Sequence, residues 1–441
     1  MSLLAFLKMR ILIKKEDIRM GKGYYKALLA AAVLALAGCS GKEYEKIQGI
    51  GKSEENRVLE KQEDTGKQEE NQEWEIVISD DLEADAQMVS GKLDGELDLT
   101  GEVPLGEDSS TEADRLTLLF SGDVLLSDHV LNAYDKANGI HGVLDEEYCR
   151  QIEESDFFMV NQEFPFSDRG TAAEDKQYTF RLPTKRAALF GEMGIDGVTL
   201  ANNHALDFGQ EALLDSCQVL DGAGILHTGA GANLEEARRP VSVEIKGKRI
   251  AIIGATRVIP VADWAAGRQQ PGMLAAYDMT VLLDEIRARR QDHDFVAVCI
   301  HWGIERDERP QEYQRTMARQ MIDAGADLVV GSHPHVLQGM EYYEGKPIVY
   351  SLGNFVFGSS IPRTALLQVT WDIKDGAETG EGEPVLRLIP GTSGAGYTRM
   401  LTEEDKRREF FRYMESISYG VWFEEDGEVK KDEDGYREES E

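Results

Sequence analysis

Seven residues with donor atoms for a divalent cation or a mobile proton are Asp123, Glu163, Asn203, His204, His301, His333 and His335, all at or just past the ends of apolar runs. The runs read as strands, and α/β sheets place their ligands at the carboxy ends of such strands. The chain has only 8 histidines, and two of them stand one residue apart in GADLVVGSHPHVLQG. Residues two apart on an extended segment point to the same side, so both imidazoles can reach one centre. Taken singly, each residue has a plainer reading. An aspartate after a strand caps a turn, Asn202 and Asn203 favour a loop, and His301 beside Trp302 fits a packed core histidine. Together, carboxylate, amide and imidazole donors from several strands suit a divalent metal such as Mn, Fe or Zn better than a soft metal.

The elements that must position these residues alternate. RLTLLFSGDVLL, DFFMVNQEFPF, DGVTLANNHALDFG, KRIAIIGATRV, DFVAVCIHWGIE and ADLVVGSHPH are apolar runs of strand length, each ending in polar residues. Between them, TKRAALFGEMG, GQEALLDSCQVLDGAG and QEYQRTMARQMIDAGA have helical periodicity and close near a glycine, as a helix C-cap does. This alternation is that of an α/β fold. KPIVYSLGNFVFG, TALLQVTWDI and PVLRLIP add further strands near the carboxy end, which suggests antiparallel strands completing the sheets.

In order, SGDVLL, NQEFP, LANNHALDFG, IHWGIE and GADLVVGSHPHVLQG followed by IVYSLGNFVF resemble the capsule-synthesis CapA family, the poly-γ-glutamate biosynthesis proteins, over about residues 116–357. That family is itself similar to the calcineurin-like metallophosphoesterases. The resemblance implies a four-layer αββα sandwich with a metal centre at one sheet edge. It gives Asp123 the place of the first metal aspartate and Glu163 that of a bridging aspartate. It makes Asn203 a ligand, His204 the donor that steadies a developing charge, His301 the single histidine ligand, and His333 with His335 the closing pair. The sequence departs from the phosphoesterase pattern at two points: Leu125 stands where an Asp-x-His motif has its histidine, and Glu163 is longer than aspartate. Either change bears on the spacing of about 3.5–4 Å that two-metal chemistry requires. His129 is the nearby histidine available to fill the gap. The expected positions are unequal, one with Glu163, Asn203, His301 and His333, the other with Asp123, Glu163 and His335.

Two classes of function follow. One is a metal-dependent hydrolase of phosphoester or amide bonds, in which a metal-activated water attacks and His204 assists the leaving group. The other is a non-catalytic, polymer-binding component of a poly-γ-glutamate capsule system, with the polymer and its synthase complex as partners. Fold alone does not choose between them. An acidic protein repels polyglutamate, so a metal and Arg181, Arg257, Arg306 or Arg363 would have to supply a local positive field, although arginines more often solvate a surface. Glu305, four residues after His301, either orients substrate or pairs with an arginine.

Charge and composition bound the setting. The 441 residues carry a net charge of -33, which argues against nucleic acid as a partner. Residues 42–114 hold 23 acidic and 7 basic side chains, with few aromatics, and read as a disordered tether that cannot bury enough apolar surface to offset its ordering entropy. A short strand at 73–79 is the one element expected there. Ahead of it, MGKGYYKALLAAAVLALAGCS has a lysine-bearing start, an apolar stretch at 27–37 and small residues before Cys39. The stretch is shorter than the roughly 20 residues of a spanning helix. It resembles a bacterial lipoprotein signal, which implies lipid on Cys39 and an extracytoplasmic protein anchored to the membrane. Cys149, Cys217 and Cys299 have no CxxC spacing and suggest neither a disulfide framework nor a zinc knuckle. The expected organisation is a signal at 1–39, a linker at 40–114, the metallophosphatase-like domain at 115–423 and an acidic, disordered tail at 424–441.

Overall fold

The computed structural model describes residues 115–174, 176–358, 360–373 and 383–432. The expectations for the signal, Cys39, the linker and the strand at 73–79 lie outside these residues. In chain order the strands are β1 (Arg115–Val124), β2 (Phe157–Gln162), β3 (Gly197–Thr199), β4 (Leu226–Thr228), β5 (Ala230–Gly231), β6 (Val241–Ile245), β7 (Lys248–Thr256), β8 (Gly272–Met273) and β9 (Phe295–His301). They continue with β10 (Leu328–Ser332), β11 (Leu337–Tyr343), β12 (Lys346–Leu352), β13 (Asn354–Val356), β14 (Ser360–Asp372), β15 (Val385–Gly394), β16 (Tyr397–Met400), β17 (Val421–Phe423) and β18 (Val429–Lys431). The helices are α1 (Asp128–Ala137), α2 (Glu146–Glu153), α3 (Ala188–Glu192), α4 (Gly209–Ala223), α5 (Leu234–Ala237), α6 (Thr280–Arg290), α7 (Glu312–Asp323) and α8 (Glu404–Ile417).

An eight-stranded sheet runs β16-β15-β14-β1-β2-β3-β4, with β13 also paired to β1. A six-stranded sheet runs β11-β12-β10-β9-β7-β6. The period of two along each strand divides the apolar residues between two faces. Leu116, Leu118 and Phe120 of β1 meet Ile250, Ile252, Phe295 and Ala297 between the sheets. Their neighbours Leu119, Phe158 and Val198 turn outward under Tyr148, Leu213 and Leu220 of α2 and α4. On the far side, Ala251, Ile253 and Val298 lie under Leu282 and Ile286 of α6 and Met321 and Ile322 of α7. Three apolar interfaces thus separate four layers, helix, sheet, sheet and helix, the αββα sandwich that the resemblance implies.

Local chemistry sets the helix limits. The Asp145 carboxylate accepts the Tyr148 N–H and starts α2, and Gln311 with Gln314 forms a capping box on α7. Gly224, in the left-handed region at φ 73°, ends α4. The carboxy boundary expected at residue 423 needs correction. Val429 is buried in the inter-sheet core, and the β17–β18 hairpin packs there with Phe411 of α8, so the fold continues through residue 432. Of the acidic residues there, Asp426 pairs with Arg387 and Glu428 with Lys430. The chain also crosses between sheets next to the polar cluster. β12 belongs to the six-stranded sheet, Gly353 turns at φ 58°, and β13 pairs with β1 of the other sheet. Gly122 lies so close to this turn that an added Cβ would stand 1.8 Å from the Gly353 carbonyl oxygen, which excludes a side chain at 122.

Candidate metal centre

Parallel strands bring their carboxy ends to one edge of the sandwich, and there the two sheets contribute opposing donors. Asp123 ends β1 and Glu163 follows β2 on one sheet, while His301 ends β9 on the other, and ligand atoms of the three lie within 4.8 Å of one another. Asp123 and Glu163 are fully buried and His301 is 1% exposed. Asn203 joins them from the loop after β3, its Oδ1 2.8 Å from His301 Nε2. Asn161, on β2, donates to Asp123 Oδ1 at 2.7 Å and to Glu163 Oε1 at 3.3 Å. Asn202 in turn donates to Asn161 Oδ1 at 3.1 Å and accepts the His204 N–H on its own Oδ1 at 3.1 Å.

His333 and His335 close the cluster, by a route different from the extended segment expected. β10 stops at Ser332 and the chain bends, with His333 at φ 96° and His335 at φ 60°, both in the region that side chains other than glycine rarely adopt. The bend, not a strand pleat, brings the two rings to 5.9 Å, and His333 to 4.7 Å from His301. His335 Nδ1 lies 2.8 Å from Asn354 Oδ1 and 3.2 Å from Asp123 Oδ2. Strain of this kind is held where the surroundings over-determine the backbone, and such sites cluster around ligands.

Electrostatics match a cation site. Burial, reinforced by Asp123, holds the Glu163 carboxyl well above the usual range. Burial, reinforced by His333 and His335, holds His301 well below its ordinary value. Burial and the adjacent His335 push His333 down to about 4, so both rings present neutral nitrogen. Burial would also lower His335, but Glu163 and Asp123 outweigh it and push it up to about 10. Protonated His335 therefore balances part of the buried negative charge, and uptake of a cation would displace that proton. Glu163 Oε2 and His333 Nδ1 are buried without a hydrogen-bond partner, and the ion-pair contacts of Asp123 and Glu163 are with histidines. A buried carboxylate oxygen and a buried imidazole nitrogen, each without a hydrogen-bond partner, fit a divalent ion of the Mn, Fe or Zn kind.

His204 lies beside this cluster in a different arrangement. Its Nδ1 is 2.7 Å from Asp207 Oδ2, and Asp207, fully buried, also accepts the Phe180 N–H at 2.7 Å and pairs with Lys176. A carboxylate held by two other donors only accepts, so the proton sits on Nδ1 and Nε2 is the basic nitrogen. Burial nevertheless keeps His204 below its ordinary value. Lys176 also bonds the Asn203 carbonyl, next to the centre. Of the arginines considered as a positive field, Arg181, Arg257 and Arg363 instead stack on Phe208, Tyr277 and Tyr413.

Leu125 packs in the apolar core under the helices, so position 125 offers no donor. His129 is exposed on the first turn of α1 and belongs to neither candidate metal group, so it does not replace one. Glu305 is exposed and places a carboxylate oxygen within 4.8 Å of ligand atoms of His333 and His335, so its surroundings are the histidine pair. A family profile described as "Bacterial capsule synthesis protein PGA_cap" matches residues 117–359.

The chain belongs to that family. "Capsule biosynthesis protein CapA" of Bacillus anthracis is 30% identical over 331 residues, 72% of this chain and 78% of the relative. "PGA biosynthesis protein CapA" of Bacillus subtilis strain 168 is 31% identical over 327 residues, 73% of this chain and 83% of the relative. The structure of Haemophilus influenzae NAD nucleotidase aligns with 69% of this chain and 63% of its own at 13% identity and a TM-score of 0.38. All seven donors named from the sequence lie inside the PGA_cap match, as do four residues that sequence reasoning did not single out. Asn161 stands two before Glu163, hence on the same strand face, and Asn354 sits in SLGNF, so both had a local signal. Asp207, three after His204, had a weaker one. Lys176 had none, because only tertiary packing brings it 28 residues back along the chain to His204.

Proposed function

We propose that this PGA_cap protein acts in poly-γ-glutamate capsule synthesis or export at the cell surface, hydrolysing a phosphoester or amide bond at a divalent metal centre. The observation that carries this reading is the buried Glu163 oxygen that accepts no hydrogen bond where Asp123 and His301 converge on the same carboxylate, with a His204–Asp207 pair alongside. Asp123, Glu163 and His335 would hold one position, and Glu163, Asn203, His301 and His333 the other. A bound ion would supply Lewis acidity toward a phosphoryl or carbonyl oxygen and lower the pKa of a water. The chain's own residues do the rest. Asp207 fixes the His204 tautomer so that Nε2 can pass a proton to or from the reacting oxygen or nitrogen. Lys176 offsets carboxylate charge close to the reacting bond, which favours an anionic substrate in an otherwise acidic protein. The names of the two Bacillus relatives support the capsule polymer as that substrate.

His204→Ala should lower turnover of an activated phosphodiester or of poly-γ-glutamate by about 10²- to 10⁴-fold while metal content stays at the parent value. Parent-like turnover in this variant would sink the role of His204, and polymer binding without turnover in the parent would sink the hydrolytic reading and favour a binding component. The lipoprotein-like segment ending at Cys39 supports anchoring outside the cytoplasm, since a diacyl chain adds about 0.8 kcal/mol per buried CH₂. Among the described residues, no helix is long and apolar enough to cross a membrane. Cys39→Ala should move the protein from the membrane fraction to the soluble one; retention in the membrane would refute the anchor.

A further inference from the structure

Building on the metal-centre reading, we propose that Glu305 is itself a ligand of the centre and supplies the donor that Leu125 withholds. Its carboxylate lies within 4.8 Å of ligand atoms of both His333 and His335. His333 is only 5% exposed, and its Nδ1 has no hydrogen-bond partner, so the buried ring still has a nitrogen to be satisfied. The position holding Asp123, Glu163 and His335 is short of one donor because Leu125 is in the apolar core.

The backbone sets Glu305 beside the histidine pair. After β9 the chain turns through Gly303, at φ 95°, and Arg306, at φ 64°. The Trp302 N–H is bonded to the Ser332 carbonyl at 3.1 Å, and the Arg306 N–H to the Pro334 carbonyl at 2.7 Å. The segment 302–306 is therefore laced along the His-Pro-His bend, with Glu305 held against the two imidazoles. Gly303 has little space, since an added Cβ would stand 3.0 Å from the Pro334 ring. A side chain that merely solvated the surface would not require its segment to be tied at both ends to the bend carrying two ligands. An added carboxylate also hardens the donor set, which favours Mn²⁺ over Zn²⁺ relative to an imidazole in the same place.

The test is titration of the purified, chelator-stripped full-length chain with Mn²⁺, following free Mn²⁺ by its paramagnetic resonance signal. Glu305 is exposed, so Glu305→Gln should melt at the parent temperature. The parent should take up two ions. Glu305→Gln should bind one with parent affinity and the other at least about tenfold more weakly, with a smaller loss for Zn²⁺. Superimposable Mn²⁺ isotherms for parent and Glu305→Gln, with His333→Ala impaired, would overturn the role of Glu305 and leave the centre standing. A parent that takes up no Mn²⁺ or Zn²⁺ would overturn both.

Discussion

The two ends of the parallel strands treat their carboxylates in opposite ways. At the amino ends, four aspartates each stand just ahead of a strand and accept a backbone N–H from the neighbouring one. Asp156, before β2, takes the Thr117 N–H at 2.9 Å, and Asp196, before β3, takes that of Phe158 at 3.0 Å. Asp294, before β9, takes the Arg249 N–H at 2.8 Å, and Asp327, before β10, takes that of Val296 at 2.9 Å. Cations add to this: Lys246 at Asp156, Arg249 at Asp294, and both Arg290 and Lys346 at Asp327. At the carboxy ends, Asp123 and Glu163 are buried deeper and have histidines rather than lysine or arginine as ion-pair contacts, and one oxygen of Glu163 is unpartnered. Charge-assisted bonds at the amino ends hold register, whereas the carboxy ends keep donor atoms unused by the fold and open to the proposed ion. Stability and proposed chemistry are thus separated by the length of a strand.

Substitution at each end should separate the two properties. The largest effect is expected from Glu163→Gln, which removes the carboxylate shared by both proposed positions. Metal per chain, measured by elemental analysis after dialysis against a mild chelator, should fall to background; retention at the parent level would break the comparison. Next is Asp327→Asn at the opposite end, which weakens charged bonds to Val296, Arg290 and Lys346. A loss of about 2 kcal/mol, or roughly 5 °C in melting temperature, is expected, with metal content unchanged. If metal content falls in parallel, the ends are not independent. The smallest effect sharpens the contrast. In metal-free protein a proton on Glu163 or His335 already offsets part of the buried carboxylate charge, so Glu163→Gln should leave the melting temperature within about 2 °C of the parent.

The sequence made the carboxy ends legible because polar residues interrupt apolar runs there. Asp123, Glu163, His301 and the His333–His335 pair all stood out for that reason. Their convergence could not be read so directly. The histidine pair comes together through two left-handed residues, which no alternation pattern encodes, and Lys176 arrives from a loop far along the chain. At the amino ends the signal was present and carried no obvious chemistry. SDFF, IDGV, HDFV and ADLV each put an aspartate ahead of an apolar run, but its partner is on another strand. The helices α3, α4 and α7 follow from periodicity and terminal glycines. α8 is not among the helices expected from the sequence, because its buried Phe410, Phe411 and Met414 lie among charged residues of both signs.

The turn at Gly353 gives the proposed centre a mechanical character. One sheet supplies Asp123, Glu163 and Asn203, and the other supplies His301, His333 and His335, so the distance between donors is the distance between layers. Where the backbone passes from one layer to the other, the Asp123 N–H is bonded to the Gly353 carbonyl at 2.8 Å, and Gly122 fits against it with no room for a methyl group. This pins the layers at the edge where the donors face each other. Sliding one layer over the other would have to break that bond before it could change the spacing of the donors. A bulky residue introduced elsewhere between the layers, at Ala297 or Ala365 for instance, would meet a fixed fulcrum at this edge and open the sandwich at its far end. The proposed chemistry would then sit at the point of least displacement.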